Sequence, residues 1–284
     1  MLIFLFHNTL WTMENPDIGQ FKFEKALVPM ARGGRSTKVF RIALDMAREY
    51  STEITAFTVR DEKRDLLWTE KVNLITEAYR VGKSMGLKVI PKIVSSDSTK
   101  VSIIKESEAH SYDYILIATT RRSPLSGALF GNIGDYVFTN SKVPVAMLST
   151  KGTEYPYKSA IIPISETLST RYSILFALHL KKAIKYSAYM MDLRKYDKKK
   201  THGFKLLMDR FPQLSKIYGE NISYASTGRK SNVQEEIMSA WRQYRSDVLI
   251  LGIRPGPSGR IRVPLSMRSV IKQFPGDVII VKRG

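Results

Sequence analysis

The chain has 284 residues, of which 43% are apolar and 25% are charged, so its composition excludes a disordered or fibrous protein. It has no cysteine, which excludes disulfides, thiolate metal sites and cysteine nucleophiles and is typical of a cytoplasmic protein. The formal net charge of +19 favours anionic partners, including nucleotides, nucleic acid, anionic lipid and acidic proteins.

The chain opens with an apolar run, 1–6, that is far shorter than the roughly 20 residues needed to span a bilayer. We therefore predict that residues 1–21 are an N-terminal extension without a secretion signal. Either Met1 or Met13 fits as the start of the protein.

Short apolar runs then alternate with amphipathic stretches up to residue 149. The runs predict strands at 25–30, 55–59, 87–94 and 143–148. A further strand is predicted to begin at Tyr114 and to end at two threonines. We expect helices from Ser36 and Thr37 as caps, from about 66 to 85, from Ser98 and Thr99, and from Gly131. Pro91 predicts that the third strand lies at an edge of the sheet.

The same order of elements starts again after a polar stretch. The second set of strands is predicted at 160–165, 186–192, 221–225, from Val248, and at 276–282. One helix is expected from about 168 to 184 and another after Ser231 as its cap. Lys181, Lys182 and Lys185 then lie near the end of the first of these helices, where their charge complements its dipole.

A repeat of about 133 residues is the size of one domain, so the chain is predicted to be a tandem duplication. The predicted limits are 22–150 for domain 1, 151–156 for the linker and 157–284 for domain 2. Alternating strands and helices predict an α/β fold in which each domain has a five-stranded, mostly parallel sheet with helices on both faces.

The loops after strands at the carboxyl edge of the first sheet carry the best candidates for a ligand site. Arginines bind anions there, and hydroxyls and helix N-terminal N–H groups add neutral donors. The candidates are Arg32, Arg35, Thr119, Arg121, Arg122, Ser123, Gly131 and Asn132. The alternative is that the arginines are solvated and that 131–132 only cap a helix.

The corresponding loop of the second half is a basic turn rich in proline and glycine. Its candidates are Arg254, Gly256, Ser258, Arg260 and Ser266. Because it lacks the aromatic side chains on which single-strand binders stack bases, nucleic acid is the less favoured partner.

Residues 129–137, Leu-Phe-Gly-Asn-Ile-Gly-Asp-Tyr-Val, resemble a motif of the universal stress protein family, and the likeness extends over 22–149 and 157–283. The resemblance implies tandem flavodoxin-like domains of the adenine-nucleotide alpha hydrolase type, a non-catalytic role, and ATP or AMP as possible ligands. It also implies an internal pseudo-dimer paired through the fifth strands, 143–148 with 278–281; further dimerisation is left open.

The nucleotide-binding pattern of that family is incomplete in both halves. Its two early glycines fall on Ala118 and Arg121 in the first half, and in the second half Pro255 and Leu265 replace two glycines. Ala31 and Ser165 stand where the family's binders have an Asp. Since glycine lets the backbone approach phosphates closely, the resemblance implies a degenerate phosphate or anion site.

No paired carboxylates, Ser/His/Asp arrangement or metal-ligand spacing of the four histidines suggests catalysis or a metal. We therefore expect a stress-response or regulatory binding protein of the cytoplasm. One alternative is a regulator of a membrane transporter that acts by protein contact, because 26–34 and 122–131 resemble modules that work beside cation antiporters and amino-acid permeases. The other is a basic nucleic-acid-binding protein.

Overall fold

The computed structural model describes residues 22–31, 33–61, 68–120, 132–165, 171–196, 216, 218–225, 232–253, 263 and 265–282. Within these residues strands and helices alternate as expected. The first half contains β1 (Lys25–Pro29), α1 (Gly34–Tyr50), β2 (Glu53–Arg60), α2 (Trp68–Ser84), β3 (Val89–Ser95), α3 (Thr99–Ala109), β4 (Tyr114–Thr119), α4 (Asn132–Asn140) and β5 (Val145–Ser149).

The second half has the same order of strands. It contains β6 (Ser159–Ile164), α5 (Arg171–Ile184), β7 (Ser187–Asp192), a 3-10 turn (Arg194–Tyr196), β8 (Ile222–Tyr224), α6 (Val233–Tyr244), β9 (Val248–Ile253), α7 (Leu265–Gln273) and β10 (Asp277–Lys282). The predicted α/β fold class is confirmed, whereas the domain limits at 150, 156 and 157 stay predictions.

The ten strands of the described residues form one sheet in the order β3-β2-β1-β4-β5-β10-β9-β6-β7-β8. Pairing is parallel within each half, and the halves meet where β5 and β10 run antiparallel, with Ser149 opposite Val278 and Val145 opposite Lys282. The predicted pairing of the fifth strands is therefore confirmed. Pro91 lies in β3, which is an edge strand as predicted.

The sheet is covered on both faces because its central strands are apolar on both sides. Ala26 and Val28 of β1 pack into the core with α1 and α5, whereas Leu27 packs into the opposite core with α3 and α4. The alternation follows from the two-residue period of a strand. Every residue of β9 and of β10 is buried, which explains the continuous apolar runs at 248–251 and 278–281.

In each half, an aspartate joins the first strand to the fourth strand in the same way. Asp113, immediately before β4, accepts hydrogen bonds from the backbone N–H groups of Glu24 and Lys25 at 2.9 and 2.8 Å. Asp247, immediately before β9, accepts the equivalent bonds from Lys158 and Ser159 at 2.6 and 3.1 Å. A charged acceptor at this place ties the start of each half's first strand to its fourth strand.

Polar side chains at both ends of β10 reach the first half. Buried Asp277 accepts from Lys38 Nζ at 2.7 Å, from the Tyr157 hydroxyl at 2.9 Å and from the Lys151 backbone N–H at 2.7 Å. Burial and the neighbouring Asp277 carboxylate raise the pKa of Tyr157. At the other end, buried Lys282 donates to the Ser141 backbone oxygen at 2.6 Å.

Two predicted helix caps are wrong. α1 begins at Gly34, so Ser36 lies inside the first turn, where its hydroxyl donates to the backbone oxygens of Ala31 and Gly33. α6 is capped by Asn232 and not by Ser231, because the Asn232 side chain accepts from the Glu235 N–H at 3.0 Å.

Candidate anion-binding site

The strand order of the first half reverses between β1 and β4, which makes this point the expected ligand crevice of an open α/β sheet. β1 pairs with β4 only at Ala26 with Tyr114 and at Leu27 with Ile115. Beyond these pairs the carboxyl ends of the two strands are no longer paired with each other. The strands therefore separate at the edge where the loop after β1 and the end of β4 lie.

The N-terminus of α1 opens at this crevice without a side-chain cap. Its N-cap residue is Gly33, with φ of 103°, and its first turn contains no acidic side chain. A Cβ atom at Gly33 or Gly34 would meet no heavy atom within 4 Å, and both residues are exposed. The first N–H groups of the helix, with the positive end of its dipole, are thus available to an anion.

Of the predicted site residues, Arg35 and Thr119 are the two whose side chains lie in the described part of the chain. Arg35 is exposed in the first turn of α1. Thr119 ends β4 and is 6% exposed, and its hydroxyl has no hydrogen-bond partner among the described residues. A buried hydroxyl without a partner is unfavourable by about 1 to 3 kcal/mol, which makes it a candidate ligand contact.

Thr119 lies directly under the first turn of α4. A Cβ atom at Gly134 would come within 2.5 Å of Thr119 Oγ1 and 3.2 Å of Met147 Sδ, so a residue with a side chain does not fit there. The close approach of strand end and helix start therefore depends on a glycine that the sequence analysis did not single out. The signal in the sequence was the spacing of three residues between Gly131 and Gly134.

The structure describes only a few of the remaining predicted site residues, and of those it describes the backbone alone. Asn132 begins α4 and Ser266 lies in the first turn of α7, but their side chains are outside the described part of the chain. Arg32, Arg121, Arg122, Ser123, Gly131, Arg254, Gly256, Ser258 and Arg260 also lie outside the described residues. In the second half the strands separate in the same manner, since β6 pairs with β9 only at Ala160 and Ile161.

Lys181 has a different role from the one predicted from its position near a helix end. Its side chain is buried, and its Nζ donates to the backbone oxygens of Tyr218, Gly219 and Glu220 at 3.0, 3.3 and 2.6 Å. Desolvation lowers its pKa. The sequence contained a signal, because Ile174, Ala177, Leu178 and Lys181 follow the spacing of one buried helix face.

Neither a metal centre nor a membrane-crossing helix emerges from the described residues. No group of three or more His, Asp or Glu side chains among them is placed to hold a metal ion. None of the helices in the described ranges combines the length and the apolar character that crossing a membrane requires.

Comparison with known proteins identifies the class of the first half. Residues 22–149 match the universal stress protein family, so this part of the chain is a universal stress protein domain. None of the curated proteins matches the sequence.

Solved structures resemble this chain along most of its length, among them the following two. One is a universal stress protein from Archaeoglobus fulgidus DSM 4304, with 18% identity, a TM-score of 0.60, and coverage of 93% of this chain and 100% of that one. The other is a functionally unknown protein from Pseudomonas aeruginosa PAO1, with 15% identity, a TM-score of 0.59, and coverage of 93% and 94%. At these identities the likeness shows the fold, and it extends over both halves.

Proposed function

We propose that the protein is a non-catalytic regulatory protein of the stress response whose first half binds a phosphate-containing ligand in the crevice between β1 and β4. The second half is, in this proposal, a second domain of the same family. The observation that carries the proposal is the uncapped and exposed N-terminus of α1 at the point where the strand order reverses.

Three further features support an anionic ligand. The first turn of α1 contains the exposed Arg35 and no acidic side chain. Ser36 donates its hydroxyl to the loop carbonyls of Ala31 and Gly33, which leaves the helix N–H groups uncapped by that side chain. The buried hydroxyl of Thr119 supplies a neutral donor at the end of the neighbouring strand.

The phosphate could belong to a nucleotide such as ATP or AMP, or to a smaller molecule. Isothermal titration at low ionic strength with ATP, AMP and orthophosphate separates these ligands. We expect at least one of them to bind, with an affinity that falls as salt is added, because screening weakens exposed charge interactions. Absence of heat with all three contradicts the proposal.

A charge placed at the helix start tests the location of the site. Gly34→Asp adds a carboxylate at an exposed position with open space around it, and acidic residues suit the first turn of a helix. We expect ligand affinity to fall about tenfold or more, equivalent to about 1.4 kcal/mol, with an unchanged melting temperature.

Thr99→Asp is the matched control, because it adds the same charge at the exposed start of α3, which follows the edge strand β3. Equal losses of affinity in the two variants would show that the change in overall charge causes the loss, which would contradict the proposed site. Thr119→Val then tests the hydroxyl: a ligand contact predicts weaker binding with equal or greater stability.

The other functions considered from the sequence have less support. Contact with a membrane transporter or an acidic protein is tied to Arg121 and Arg122, which lie outside the described residues. Nucleic-acid binding is tied to the basic second half, whose loop at 254–262 also lies outside them. These alternatives stay predictions of the sequence.

A further inference from the structure

A second basic site lies in the other half of the protein, away from the crevice between β1 and β4. It is a cavity of about 400 Å³ at the end of α5, next to the start of β8. Four of the eight described residues that line it are lysines: Lys181, Lys182, Lys185 and Lys216. The others are Tyr218, Gly219, Glu220 and Asn221.

Two turns in left-handed backbone conformations shape this cavity. Lys185 follows α5 with φ of 60°, and its N–H donates to the Lys181 carbonyl at 2.6 Å. Opposite it, Gly219 and Asn221 have φ of 86° and 68°. The Asn221 carbonyl accepts from the Ala188 N–H of β7 at 2.8 Å, which anchors this second turn to the sheet.

Lys181 holds the second turn in place and removes an obstacle to anion binding. Three backbone oxygens of the turn, from Tyr218 to Glu220, point their negative ends at its ammonium group. Carbonyl oxygens repel anions, so an anion could not approach them without a cation between. Because the Lys181 ammonium group neutralises all three carbonyl oxygens, they no longer repel an anion in the cavity. The charges of the remaining lysines are then free to attract it.

The other lysines differ in how far neighbouring groups neutralise them. Lys182 forms an ion pair with Glu49 of α1 at 3.0 Å and lies 5.7 Å from the centre of the Tyr50 ring. Lys185 and Lys216 are exposed, and neither has an ion pair among the described residues. Glu220 is the acidic side chain among the described lining residues, so the charges of these residues sum to an excess of positive charge.

We infer that this lysine-lined cavity, defined by Lys182, Lys185, Lys216 and Asn221, binds a small polyanion of the di- or triphosphate class. Ammonium groups act as point charges toward phosphate oxygens, and several of them around one opening favour a ligand with several charges. The Asn221 amide offers a neutral donor. A cavity of this size suits a small molecule and not a folded partner.

Inorganic pyrophosphate is the probe for this site, titrated calorimetrically at low ionic strength. Lys185→Gln combined with Lys216→Gln should weaken binding about tenfold, since each exposed ionic contact contributes up to about 1 kcal/mol. Lys83→Gln combined with Lys105→Gln is the matched control: both lysines are exposed, lie on α2 and α3, and remove the same charge. The control should keep the affinity of the parent protein.

The titration is repeated in the Gly34→Asp background to separate this cavity from the proposed phosphate site. Pyrophosphate binding that survives Gly34→Asp and is lost with Lys185 and Lys216 supports the inference, even if the first site fails. Equal weakening in both lysine pairs, loss through Gly34→Asp alone, or no binding by the parent protein would overturn it.

A chemical readout identifies the lysines directly. Acetylation by a limiting amine-reactive reagent, followed by mass spectrometry, should show Lys185 and Lys216 protected by pyrophosphate while Lys83 and Lys105 react as before. Protection of all four, or of none, contradicts the inference. Melting temperatures of both double variants should match that of the parent protein, because the replaced side chains are exposed.

Discussion

The two ends of strand β10 join the halves of the protein by different chemistry. At its start, the Asp277 carboxylate accepts from Lys38, Tyr157 and the Lys151 N–H, so the buried charge is matched by a cation and by further donors. At its end, buried Lys282 donates to the Ser141 carbonyl, which is an uncharged acceptor. Burial lowers the pKa of Lys282 to about 8.

The difference shows how one interface accommodates two buried charges. At the first end, the buried charge of a carboxylate is compensated by a cation and further donors, whereas at the second end an ammonium group next to a carbonyl is favoured less in its charged form. The first end therefore contributes to stability and orientation of the two halves. The second end carries a free-energy cost that depends on pH.

The largest expected effect comes from removing the charge of Asp277. Asp277→Asn leaves Lys38, whose side chain is 14% exposed, without its counter-ion. We expect the free energy of unfolding to fall by about 3 kcal/mol, as for other broken buried pairs. Chemical denaturation measures it.

Glu53→Gln is the control for that substitution, because it breaks the ion pair with Lys88, whose side chain is 70% exposed. This variant should lose less than about 1 kcal/mol. Similar losses in Asp277→Asn and Glu53→Gln would contradict the distinct role of the start of β10.

The next effect concerns Lys282 and pH. Because its pKa is about 8 in the folded protein and 10.5 when unfolded, unfolding takes up a proton between these values and stability rises with pH across that window. The parent protein should gain about 2 kcal/mol relative to Lys282→Met between pH 8 and pH 10.

Denaturation of both proteins at a series of pH values gives this difference and cancels the tyrosines that titrate in the same range. Well below pH 8 the difference should become constant, since Lys282 is then charged in both states. Parallel curves from pH 8 to pH 10 would show that the pKa of Lys282 is not lowered.

A smaller effect is expected when Asp277 loses one donor and keeps its ion pair. Tyr157→Phe removes the hydroxyl that lies 2.9 Å from the carboxylate and preserves the ring. Stability should fall by about 1 to 2 kcal/mol, measured by denaturation at pH 7. A loss as large as that of Asp277→Asn would mean that Tyr157, and not Lys38, is the essential partner.

The smallest effect is expected beside Lys282. The Ser141 hydroxyl donates to the Val143 carbonyl at 2.7 Å and accepts from the Val143 N–H at 3.0 Å, while Lys282 bonds only the backbone oxygen of Ser141. Ser141→Ala should cost about 0.5 to 1 kcal/mol and keep the pH dependence. Loss of that dependence would show that the serine hydroxyl positions the lysine's acceptor.

The succession of strands along the chain could be predicted from the sequence because buried parallel strands are continuous apolar runs. The segments Ala26–Val28 and Ile161–Ile162 lie in the centre of their half-sheets, and both are followed by a helix. The pairing of β5 with β10 came from the family resemblance. The partners of Asp277 could not be predicted, since Lys38 lies far away in the chain and only the folded sheet brings them together.

The candidate site was predictable in its location but not in its detail. Arg35 and Thr119 lie at the predicted edge of the sheet, on α1 and at the end of β4. The sequence predicts Ser36 as a cap because serine is common at that position, yet the helix begins earlier, at Gly34, with Gly33 at positive φ as its N-cap. Whether a serine caps the helix or donates a hydrogen bond to the preceding loop depends on backbone angles that composition does not determine.

The antiparallel junction uses up one edge of each half-sheet, so β3 and β8 are the outer strands of the ten-stranded sheet. β3 carries a proline and a lysine, and β8 is three residues long. Both features discourage another chain from adding a strand by backbone hydrogen bonding. Extension of the sheet by strands from further copies of the chain, which would lead to fibres, is therefore disfavoured at both edges.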